Sequence, residues 1–192
     1  MSMRRNIRDI EHEIVNQILI SEICFDICAQ ISQIEESKRR GRGSDFLPFY
    51  YNLNFSKGII SLHSLLLSNS PDELSVKNFL KQHKVDYPSE DITEVEAKIA
   101  SIAKSFKNIL SISLRHKVAA HIDQEFKHAD FTSAYIIPDS VEKYATVVSD
   151  LKEAIFAFTS YARDNYPHGR ILDQSKSIVE KIVRESDKGY SL

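Results

Sequence analysis

Ile20-Ser21-Glu22-Ile23-Cys24-Phe25-Asp26-Ile27-Cys28-Ala29-Gln30-Ile31-Ser32-Gln33-Ile34 is a stretch whose apolar side chains return every three or four residues. Ile20, Ile23, Cys24, Ile27, Ile31 and Ile34 fall on one stripe of a helix. Ile7, Ile10 and Ile14 extend the pattern backward, so the spacing predicts one helix from about Asn6 to about Ser37. Lys38-Arg39-Arg40-Gly41-Arg42-Gly43 closes it, since cations suit a helix C-terminus and glycine stops the helix.

The same period recurs downstream. A second helix follows Asp45, with Pro48 tolerable in its first turn. Phe55, Ile59, Leu62 and Leu66 give it a core face, widened by Ile60, Leu65 and Leu67. Ser70-Pro71-Asp72-Glu73 reads as a start signal: Ser70 caps, Pro71 fits the first helical position and Glu73 completes a capping box. The third helix is short, to about Lys81. Thr93 and Glu96 form a second possible capping box, at or just after the start of a fourth helix that reaches about Glu125. Its stripe is Ile99, Ala103, Phe106, Leu110, Leu114 and Val118. A link with Ile136 and Ile137 leads to Pro138-Asp139-Ser140. The fifth helix spans about Ser140 to Asn165, with Tyr144, Val148, Leu151, Ile155 and Phe158 on one face.

Tyr166-Pro167-His168-Gly169 stops that helix, and a last amphipathic segment follows. No stretch alternates long enough to argue a sheet. The expectation is an all-α helical bundle of about five to six helices. Residues 1–165 form the bundle. Residues 166–192 form a C-terminal helical extension that packs on it or mediates association with a second copy. A chain of 192 residues fits one domain with a tail, and only five glycines and five prolines interrupt it.

Net charge is −2, so no strong global field attracts a polyanion. That counts against tight, sequence-blind binding of long nucleic acid and leaves room for a local phosphate site. Cys24 and Cys28, four apart on one helix face, read as small buried hydrophobes of a reducing compartment. A disulfide within one helix is geometrically poor, and no further ligands stand near enough for a metal. The charged N-terminus lacks the apolar core of a secretory signal, and no run of about 18 apolar residues is found. A cytoplasmic location and no membrane partner are expected.

No nucleophile elbow, glycine-rich phosphate loop or zinc-protease motif occurs. His63, His83, His128 and His168 stand alone and read as surface or partly buried residues. The exception is Leu114-Arg115-His116-Lys117-Val118-Ala119-Ala120-His121-Ile122-Asp123, with two histidines and two cations in seven of its residues. On a continued helix His121 returns to the line of Leu114, offset by about 20°. A histidine there needs a partner or a cleft. Arg115 stands about 120° around from His121 and about 9 Å along the axis. One copy brings them to a common ligand only through the length of the arginine, a local distortion or a second subunit. By spacing alone the plainer reading is structural: Arg115 pairs with a carboxylate, and His121 is a hydrogen-bonded core residue.

The segment resembles the R-x(4–6)-H signature of the HEPN superfamily of small all-α domains. Arg115 is followed by five residues and then His121, and His116 fits the polar position after the arginine. The wider phrase, from Leu114 to Ala120-His121-Ile122-Asp123, is similar to the AbiU-type abortive-infection branch. The order of helices fits as well, over roughly residues 10 to 165. The resemblance implies a metal-independent endoribonuclease, a toxin or phage-defence effector, acting as a homodimer with both motifs in one cleft. It implies no cofactor and no metal. Carried over, Arg115 stabilises the phosphoryl group, His121 transfers or positions a proton, and His116 assists by hydrogen bonding. RNA is the implied substrate, and a nucleotidyltransferase-type antitoxin is a possible partner. The alternative is a non-catalytic HEPN-like dimerisation module that binds a nucleotide or an antitoxin.

Two further features bear on RNA. Lys38, Arg39, Arg40 and Arg42 read first as a solvated helix end and second as a phosphate contact. Arg4, Arg5 and Arg8 read the same way. Phe49-Tyr50-Tyr51 reads first as packing and second as a stacking platform for bases.

Overall fold

The structure is a computed structural model that describes residues 6–34, 46–68, 70, 74–110, 138–159, 163–164, 166, 173, 176–181 and 184. Among them the chain is all-helical, with no strand. Helix α1 spans Ile7–Gln33, α2 Phe46–Leu67, α3 Val76–Asp86, α4 Thr93–Ile109 and α5 Pro138–Phe158.

Two of the helix starts have a side-chain cap. Asn6 caps α1, its side-chain oxygen accepting the Arg8 N–H at 3.0 Å. Helix α1 stops at Gln33, where Ile34 turns to extended backbone, so it ends short of Ser37 and has no cation in its last turn. The Lys38–Gly43 run lies outside the described residues. Pro48 is the third residue of α2, where a missing N–H costs no helical bond. Helix α3 begins at Val76 under a Ser75 cap, whose Oγ accepts the Asn78 N–H at 3.2 Å. Ser70 is therefore not its cap; the Ser70 carbonyl accepts from the Asn78 side chain at 2.8 Å. In α4, Thr93 is the first helical residue rather than the cap. Asp91 accepts its amide N–H at 2.9 Å, and hydrogen bonds from the Thr93 side chain and then from this N–H hold the Asp91 carboxyl below its ordinary value.

The directions of the helices follow from their contacts. The Ser21 hydroxyl on α1 reaches the Gly58 carbonyl on α2 at 3.5 Å, and the Cys28 thiol the Tyr51 carbonyl at 3.4 Å. The numbers rise on one helix and fall on the other, so α1 and α2 are antiparallel. Thr159 donates to Glu11, Lys152 to Glu22, and Phe25 stacks on Tyr144, which makes α1 and α5 antiparallel. Lys98 pairs with Glu153 at 3.9 Å and Phe106 meets Tyr144 edge-on at 6.0 Å, which does the same for α4 and α5. Helix α2 also packs on α4. The four long helices thus form a ring, α1–α2–α4–α5, of alternating direction. Helix α3 packs on α1, α2 and α4, and its Phe79 meets Phe158 at the C-terminal end of α5. It closes one end of the ring.

The core takes part of each expected stripe. Ile27 and Ile31 of α1, Ile59 and Leu62 of α2, Ile99 and Phe106 of α4, and Tyr144, Val148, Leu151 and Ile155 of α5 are all buried. Ile60 is 37% exposed and faces outward, away from the α2 core face. At the centre, the Tyr144 ring stacks on Phe25 at 5.5 Å and meets the edge of Phe55 at 5.4 Å. Gly58 admits this cluster, since a Cβ there would stand 2.8 Å from Phe25.

The C-terminal extension joins the bundle through Tyr166 and Val179, both buried in the core, with residues 176–181 helical. Helix α1 is long and apolar enough to cross a membrane by length and composition. Half of its most apolar window is buried within the bundle.

Candidate functional site

The motif was expected on a helix continuous from Thr93 to about Glu125. Helix α4 instead ends at Ile109. Leu110 leaves helical geometry (φ −73°, ψ 97°) while its N–H still donates to the Phe106 carbonyl at 2.9 Å. Ser111-Ile112-Ser113 comes next in sequence, two serines and a β-branched residue that do little to prolong a helix. The face shared by Phe106 and Leu110, both buried, is therefore not carried by one helix to His121. Arg115, His116 and His121 lie within 111–137, outside the described residues.

What the structure does define is where that segment is anchored. Leu110 ends α4 and Pro138 begins α5. Phe25 and Phe106 both meet Tyr144, so the C-terminal turns of α1 and α4 lie beyond this layer on the same side as the first turns of α5. Tyr51, level with Cys28, brings the first turns of α2 to that side too. Two links therefore leave and rejoin the ring at the end opposite α3. One runs from Ile34 to Phe46 and contains Lys38, Arg39, Arg40 and Arg42. The other runs from Leu110 to Pro138 and contains Arg115, His116 and His121.

Two polar clusters in the described residues were not expected from the sequence. In the first, the Glu22 carboxylate accepts from Lys152 and from the Tyr166 hydroxyl, while Lys152 lies 5.2 Å from the Tyr166 ring centroid. The Glu22 and Lys152 side chains are 20% and 24% exposed. Burial, then the Glu22 bond, drives the Tyr166 phenol far above its ordinary value. Each of these contacts is internal, so the cluster ties the C-terminal extension to α1 and α5. Three turns back along α1, buried Glu11 accepts from the Thr159 hydroxyl. A signal existed: Glu11 and Glu22 are eleven residues apart, about 20° from the same line of α1.

The second cluster surrounds His83, at the closed end. Its ring lies 4.7 Å from both Tyr87 and Phe158, and its Nε2 stands 3.6 Å from a Glu90 carboxylate oxygen. Its Nδ1 is buried without a hydrogen-bond partner. His83 is the partly buried residue expected; its aromatic surroundings were not foreseen.

Other candidates resolve as packing. Cys24 and Cys28 are free and buried; burial pushes Cys24 up to about 11 and Cys28 further, which leaves both thiols protonated and unreactive. Tyr51 is buried and stacks on Phe55 at 5.7 Å, so it offers no open face to a base. Among the described residues, no group of three or more His, Cys, Asp or Glu side chains is placed to hold a metal ion. Compared with family models, with curated proteins and with solved structures, the chain finds no match.

Proposed function

We propose that this chain is a metal-independent endoribonuclease of the HEPN type, acting as a homodimer through Arg115 and His121, with His116 assisting. The observation that carries the reading is the Arg115-x5-His121 motif, which falls in sequence between α4 and α5 of a bundle that is all-helical among the described residues. Support comes also from the shared end of the ring, from which both this link and the basic 38–42 link leave.

The chemistry suits these residue types. A ribose 2′-OH attacks the adjacent phosphorus, and the bond to the 5′-oxygen breaks. The 2′-OH proton passes to a base, and the leaving 5′-oxygen receives a proton from an acid. The products are a 2′,3′-cyclic phosphate and a 5′-hydroxyl. A histidine serves in such transfers near neutral pH. An arginine fork matches phosphate oxygens and stabilises the charge that builds on them. A two-fold dimer sets two motifs side by side, because isologous contacts juxtapose equivalent residues. The need for a 2′-OH makes RNA the substrate and DNA inert. A toxin or defence role and an antitoxin partner belong to the same proposal.

The test is cleavage of mixed-sequence RNA by purified protein, with and without a chelator, and with DNA as control. The reading expects RNA fragments with 5′-hydroxyl ends that form regardless of chelator. RNA binding without cleavage would favour the non-catalytic module instead.

A further inference from the structure

We draw no further inference here: the strongest candidate, the cluster of His83 and Glu90 beside the Phe79, Tyr87 and Phe158 rings at the closed end of the bundle, brings only two ligating side chains together, and among the described residues no third joins them to hold a cation.

Discussion

Gly58 is the residue on which the closeness of α1 and α2 depends. A methyl group there would meet Phe25 at 2.8 Å, and Phe25 has little freedom to yield, stacked on Tyr144 and edge-on to Phe55. Gly58→Ala gains up to about 1 kcal/mol in helix propensity. Overpacking costs about 1–3 kcal/mol. A net loss is expected, read as a lower denaturant midpoint at unchanged slope. Tyr144 makes the opposite prediction. It is fully buried, its hydroxyl has no hydrogen-bond partner, and burial pushes its phenol up to about 12. An unpaired buried hydroxyl is a cost, so Tyr144→Phe is expected to hold stability or raise it by about 1 kcal/mol. A lower melting temperature in that variant would show that the hydroxyl has a partner.

At the scale of elements, the α1–α5 pairing rests on apolar packing crossed by two polar ties, Glu11–Thr159 and Glu22–Lys152–Tyr166. The Tyr166 phenol is raised in the folded state, so its contribution is complete below about pH 10, the ordinary tyrosine value, and is lost as pH rises through the folded value. Wild type should lose stability above pH 10 more steeply than Tyr166→Phe, while at pH 7 the variant should be weaker by about 1–3 kcal/mol. Parallel profiles in alkaline denaturation would refute the tie. The helices themselves were legible, because Ile27, Ile31, Ile59, Leu62, Phe106 and Leu151 recur at helical spacing and all are buried. Their ends were less so. Ser70-Pro71-Asp72-Glu73 carries the stronger local start signal, yet α3 begins after Ser75. There Val76, Phe79 and Leu80 enter the core, and the Ser64 hydroxyl donates to the Leu74 carbonyl at 3.2 Å. Tertiary packing outweighs the cap. The reverse error occurs in α4, where apolar Leu110 and Leu114 suggested continuity but the backbone turns at Leu110. The His83 and Glu22 clusters depend on Phe158 and Lys152 from α5, and no local pattern announces such distant partners.

At the scale of the whole molecule, alternating helix directions sort the helix ends into two groups. Helix α3 closes one end, and the links carrying the basic run and the Arg115–His121 motif leave from the other. If the basic run contributes phosphate contacts, neutralising Lys38, Arg39, Arg40 and Arg42 together should weaken RNA binding and flatten its salt dependence by up to about three units of log–log slope. The fold, read by helical circular dichroism and melting, should stay unchanged. The catalytic claim itself rests on two side chains. The most direct measurement compares RNA cleavage by wild type, Arg115→Ala and His121→Ala at equal concentration, with circular dichroism and thermal melting confirming equal folding. The account predicts cleavage by wild type and at least a hundredfold loss in each variant, in line with removal of a proton-transfer or charge-stabilising group. Cleavage at the wild-type rate by both folded variants, or no cleavage by any of the three across varied RNAs, would contradict it.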